Sequence, residues 1–208
     1  MKRLLCLLYI SVLASGAHAV LPQSLTAAPE VQKILSNKCI CIEAKGKADA
    51  NFAELLTVSR RPDLLEAIQR EYAAMLPAGK KPEFEIQETA PGKYFYLNSK
   101  NQESHLTELM RELQSDGKIH AVYIVCGERF FGDFEALVHV AIADVESGKV
   151  SYVAEVYAWP ENSFCRGLAR GLQFAVSSFF RSKTGDMTDM FIKVCSRLVE
   201  ENRLVTVK

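Results

Sequence analysis

The chain has 208 residues, 49% of them hydrophobic, and carries 25 basic residues against 25 acidic ones. That balance leaves no electrostatic footprint for nucleic acid or an anionic membrane, and the length suits one domain with a proper core rather than two. Six cysteines without paired C-x-x-C spacing exclude a zinc ribbon and a disulfide-dense mini-scaffold.

The first residues are a basic pair, Lys2 and Arg3, then an apolar run from Leu4 to Leu13, then Ser15, Gly16 and Ala17-His18-Ala19. These are the parts of a secretory signal peptide. The run is shorter than the roughly 20 residues a membrane-spanning helix needs. The expectation is residues 1–19 as signal peptide, with cleavage after Ala19. Cleavage removes two cations and leaves Cys39, Cys41, Cys126, Cys165 and Cys195. No cysteine follows the site to carry a lipid, and no asparagine begins an Asn-x-Ser/Thr acceptor. The chain is therefore expected to be bacterial and exported, in the periplasm or outside the cell, soluble, with no transmembrane segment after cleavage.

Residues 20–37 read as a loosely attached lead-in with one short helical candidate, Pro29 to Leu35. Residues 38–208 form the single domain. Cys39 to Glu43 reads as a first strand, Asp49 to Val58 as a short helix. Pro62 and Asp63 open a better helix striped by Leu64, Leu65, Ile68, Tyr72, Met75 and Leu76. Phe84 to Glu88 and Lys93 to Leu97 flank Pro91-Gly92 as a hairpin near a sheet edge. Asn101 to Ser115 reads as a helix with Leu106, Leu109, Met110 and Leu113 inward and Gly117 as its C-terminal cap. It would cross the sheet and feed the strand at Ile119.

From Lys118 to Trp159 three β-branched and aromatic runs are separated by glycine-containing turns. Glu146, Ser147 and Gly148 suit a three-residue loop with a left-handed glycine. The resulting register gathers Phe134, Ala136, Val138, Val140 and Ile142 with Val150, Tyr152, Ala154, Val156 and Ala158 on one face, and sets His139 opposite Glu155 on the other. Two C-terminal helices follow, one to Phe180 with Gly167 and Gly171 on one side, the other from Asp186 to Arg203. The whole reads as an α+β domain: a mixed sheet of five or six strands, helices mainly on one face, and those two C-terminal helices.

No catalytic or cofactor motif stands out, and no cofactor or metal is expected. His139 with Glu155 is an acid/base couple, since a carboxylate fixes an imidazole's tautomer; a cross-strand ion pair does the same without catalysis. Cys165 sits in a first helical turn beside Arg166, which favours a thiolate. It serves equally as a buried thiol or as half of a disulfide with Cys195.

The strand from Ile119 to Gly127, the run from Val138 to Lys149 with its Asp144-Val-Glu-Ser-Gly148-Lys hairpin, and the order of elements around them resemble a family of periplasmic α/β domains. Its members include the amino-terminal domain of the Tol-system propeller protein, the curli-secretion lipoprotein and lipoprotein activators of penicillin-binding proteins. The resemblance implies a non-catalytic binding or assembly module with cell-envelope protein partners. A small hydrolase built on Cys165, or on His139 and Glu155, is the second reading, and a small-ligand binding protein the third. The compartment reading predicts that the exported protein begins at Val20; an intact mass that retains residues 1–19 would end it.

Overall fold

The computed structural model describes residues 21–37, 40–82, 84–98, 102–129, 132–146, 148–162, 190–191, 194–195 and 197–200. Two short helices come first, α1 (Gln23–Thr26) and α2 (Pro29–Ser36), the second with Pro29 in its first turn. Strand β1 (Ile40–Asp49) leads to α3 (Phe52–Ser59) and α4 (Leu64–Met75). Asn51 caps α3, its side-chain oxygen accepting from the Glu54 N–H at 3.2 Å. Six strands then follow without interruption: β2 (Phe84–Ala90), β3 (Lys93–Asn98), β4 (Glu103–Leu113), β5 (Ile119–Arg129), β6 (Gly132–Glu146) and β7 (Lys149–Pro160).

They form one seven-stranded sheet in the order β1-β7-β6-β5-β4-β3-β2, antiparallel at every pairing. The mixed five- or six-stranded sheet expected from sequence is corrected to this mostly-β arrangement. The error has a local cause. Residues 101–115 carry apolar side chains at helical spacing, yet residues 103–113 form β4, held between β3 and β5. A bulge between Glu108 and Met110 adds one residue to the strand, so Leu106 and Met110, four apart, lie on opposite faces. Gly117, read as a helix cap, is the left-handed residue (φ 77°) of the β4–β5 turn, where the Gly117 N–H donates to the Gln114 carbonyl at 3.0 Å.

The helices are not gathered mainly on one face either. On the face bearing Ile119 and Val150, the described core joins Leu55 and Val58 of α3, Leu64, Ala67 and Ile68 of α4, and the helical residues Val194, Cys195 and Leu198. On the other face Val31 and Ile34 of α2 pack with Leu21 against Val122 and Leu137. Val31 is 0% and Ile34 2% exposed; burial of each contributes about 1.5–3 kcal/mol. The expected C-terminal helix, over residues 163–180, lies outside the described residues, as does the region of Asp186.

The β2 edge is blunted by α4. The outward N–H groups of Ile86 and Glu88 donate to Oε1 of Gln69 and, at 3.0 Å, to Oε1 of Glu66. Two side-chain oxygens three residues apart on a helix thus take the place of a neighbouring strand's carbonyls.

Along its length the β6–β7 ladder has the register the sequence predicts, with Val140 opposite Ala154 and Val138 opposite Val156. At its tip the ladder shifts by one residue, so that Glu146 opposes Lys149. Gly148 has φ 76°, its carbonyl accepts from the Ala50 N–H at 3.0 Å, and nothing lies within 4 Å of where a Cβ would project. Gly148→Val should therefore act through backbone strain alone, lowering stability by about 1–2 kcal/mol in denaturant titration; an unchanged midpoint would contradict the turn.

Candidate functional site

Face B, the face covered by α1 and α2, carries the polar groups of interest. Alternation along the strands places His120, Val122, Ile124 and Cys126 of β5 there, with Glu135, Leu137 and His139 of β6 and Glu155 and Tyr157 of β7. His139 lies opposite Glu155, its Nδ1 3.2 Å from Oε2 of the carboxylate. Both side chains are 0% exposed. The pair continues in each direction. Nε2 of His139 is 2.9 Å from Nδ1 of His120, the two rings stacked with centroids 5.2 Å apart and planes 13° from parallel. Nε2 of His120 approaches the Asp116 carboxylate at 3.2 and 3.3 Å, and the Tyr157 hydroxyl donates to Glu155 Oε2 at 3.2 Å.

Burial pushes the His120 imidazole below its ordinary value, and Asp116 offsets part of that shift. Asp116 itself is pushed up by desolvation, but the Lys118 backbone N–H and the His120 ring outweigh this and hold it below the usual carboxylate value. Burial, reinforced by Glu155, raises the Tyr157 phenol. A general base must reach the proton it removes, and side chains with no exposed surface reach no substrate while α1 and α2 stay seated.

A second feature of face B is open. One lateral row across β4, β5 and β6 consists of His105, Cys126 and Glu135, each opposite the next. These three form part of the wall of a cleft of about 760 Å³ that also includes Gln102, Glu103, Gly127, Glu128, Asp133, Phe134 and Glu161. Phe95 of β3 meets the His105 ring edge-on at a centroid distance of 5.9 Å. Lys33 of α2 donates to Glu135 at 2.7 Å, and that bond raises the lysine's pKa. Gly127 admits the β4 backbone closely, because a Cβ there would fall 2.7 Å from the Glu103 carbonyl oxygen. Among the described residues no group of His, Cys, Asp and Glu side chains is arranged to hold a metal ion.

Of the residues singled out by sequence, His139 and Glu155 are brought together, and Cys165 lies outside the described residues. Cys195 is a buried free thiol, its pKa pushed up to about 12 by burial, which is the free-thiol alternative to a disulfide that the sequence left open. Sequence reasoning missed His120 and Asp116, which join the pair only once β5 and β6 are in register. It also missed His105, which a helix over residues 101–115 would have taken away from Cys126.

A mostly-β antiparallel sheet with helices on both faces and a ligand-sized cleft is the class of protein these features define. No protein-family model matches the sequence, and no curated protein is significantly similar to it. Among solved structures the chain is similar to a conserved protein from Geobacillus kaustophilus, at 10% identity and TM-score 0.49, covering 77% of this chain and 95% of that one. It is also similar to norcoclaurine synthase from Thalictrum flavum in complex with dopamine and hydroxybenzaldehyde, at 13% identity and TM-score 0.48, covering 90% and 98%. A third is a hypothetical protein from Helicobacter pylori, at 8% identity and TM-score 0.44, covering 76% and 92%.

The expected resemblance to Tol, curli-secretion and penicillin-binding-protein-activator domains is corrected by the topology: it requires a helix crossing into the strand at Ile119, where the chain makes a β4–β5 hairpin.

Half-buried Cys126 on the cleft and buried Cys195 should differ in reactivity. Peptide mapping after brief iodoacetamide treatment of native protein at pH 8 should find Cys126 alkylated at least about tenfold faster. Equal rates would mean that the cleft is closed in solution.

Proposed function

We propose that the chain is an exported, non-catalytic small-ligand binding protein whose ligand sits in the cleft beside α2. The observation that carries this reading is the cleft itself: its volume of about 760 Å³ falls within the roughly 300–1,000 Å³ usual for small-molecule sites. Its wall combines Phe134 with hydrogen-bonding groups from several strands, the mixture that fixes a ligand's orientation while burying its apolar body.

Charge narrows the ligand class. Glu103, Glu128, Asp133, Glu135 and Glu161 all contribute to the wall, and Lys33 is already bonded to Glu135. A carboxylate or phosphate ligand would meet repulsion there, whereas an amine attached to an apolar group would be attracted. Export rests on the signal-like features of residues 1–19. In keeping with it, no helix among the described residues is long and apolar enough to cross a membrane.

Size-matched aromatic amines and aromatic carboxylates, screened by thermal shift at millimolar concentration, test the reading. Amines should raise Tm and carboxylates should not, and Glu135→Gln with Asp133→Asn should weaken the amine response by roughly tenfold. No shift from any amine, or an equal shift from carboxylates, would sink the proposal.

A further inference from the structure

The polar line on face B poses a question of proton number that the cleft does not touch. Asp116, His120, His139 and Glu155 meet through three consecutive contacts: carboxylate to ring nitrogen, ring nitrogen to ring nitrogen, and ring nitrogen to carboxylate. Each contact joins two atoms that both accept when deprotonated, so each requires one proton between them. Two neutral imidazoles bring two protons.

The third must come from solvent. It can rest on Glu155 as a carboxylic acid or on the imidazole pair as one imidazolium, and a shift of protons along the line interconverts the two forms. Without it, one contact sets lone pair against lone pair, and His120, His139 and Glu155, all 2% exposed or less, together carry a net negative charge. The same residues in the unfolded chain at neutral pH hold the imidazole protons alone.

We propose that Asp116, His120, His139 and Glu155 form a one-proton site that fastens the N-terminal helix pair to the sheet, and that loss of its third proton at alkaline pH loosens α2. The side chains that α2 covers connect the two. Val31 and Ile34 pack in one cluster with Val122, which lies opposite His139, and with Tyr157, which donates to Glu155. A charge created in this line sits directly beneath that cluster.

Surrounding groups set the balance. From β4, exposed Glu112 lies opposite His120; from β1, Glu43 lies opposite Glu155 with the Lys45 ammonium 3.0 Å from its carboxylate, and Cys41 lies opposite Tyr157. Lys118 stands 3.4 Å from Asp116 and opposes proton uptake, whereas the carboxylates favour it. On α2, Lys33 is paired with Glu135 of β6, and Glu30 is exposed.

The sign follows from linkage. Folded protein binds one proton more than the unfolded chain at neutral pH, so helix docking weakens as pH rises through the release of that proton. In acid the relation reverses. His120 is depressed by burial, so the unfolded imidazoles protonate first, and stability falls as pH drops through about 6.5.

Hydrogen exchange of residues 31–36 in the full chain between pH 7 and 9.5, corrected for intrinsic rates, reads the docking directly. One proton in excess gives a loss of protection approaching about tenfold per pH unit up to the release point of the docked protein, levelling off above it. Glu155→Gln carries an N–H in place of the acidic proton and should keep protection flat over the same range. Asp116→Asn, at the exposed end, likewise brings an N–H into the line and should also diminish the slope. Flat protection in the wild type, or an undiminished slope in Glu155→Gln, overturns the proposal. If Glu155→Gln does not fold, an undiminished slope in Asp116→Asn overturns it instead.

Discussion

Everything on the sheet depends on the register between β6 and β7. Side chains alternate with a period of two, so a slip of one residue would leave His139 beneath α2 and carry Glu155 to the face that packs on α3 and α4, with Val156 or Ala154 in its place. The apolar demand of one face and the polar line of the other therefore specify the same pairing. The tip of the hairpin supports it, with a left-handed glycine whose carbonyl also receives the end of β1 through the Ala50 N–H.

The two faces solve different problems. One is an ordinary hydrophobic layer in which α3, α4 and residues near Cys195 close over Ile119 and Val150. The other buries ionisable side chains, covered among the described residues by two short helices, and buried polar groups are tolerated only when their hydrogen bonds are complete. The line from Asp116 to Tyr157 runs from a half-exposed carboxylate inward, each group serving the next.

Much of the strand content was legible. The β6–β7 pair, its faces and the meeting of His139 with Glu155 follow from alternation and one turn signal, as does the β2–β3 hairpin at Pro91-Gly92. Legibility failed at β4, where the spacing of Leu106, Leu109, Met110 and Leu113 is that of a helix and a bulge hides the strand's alternation. That single misreading removed a strand, invented a crossover and turned an antiparallel sheet into a mixed one. It also concealed the cleft, because His105 reaches the row of Cys126 and Glu135 only when residues 103–113 are extended. His120 stayed hidden for a related reason: its neighbour in space is diagonal to it across β5 and β6, a relation that local sequence does not announce.

The treatment of the β2 edge bears on how this molecule behaves among its own copies. Through Glu66 and Gln69, α4 acts as an eighth rung of the sheet, a surrogate strand made of side chains rather than backbone. The helix is thus a guard as well as a prop. Local fraying of α4 would cost some packing at Leu64 and Ile68, but it would also uncover a ready template for strand addition. Resistance to strand addition at this edge is consequently tied to the persistence of one helix and not to the strength of the sheet.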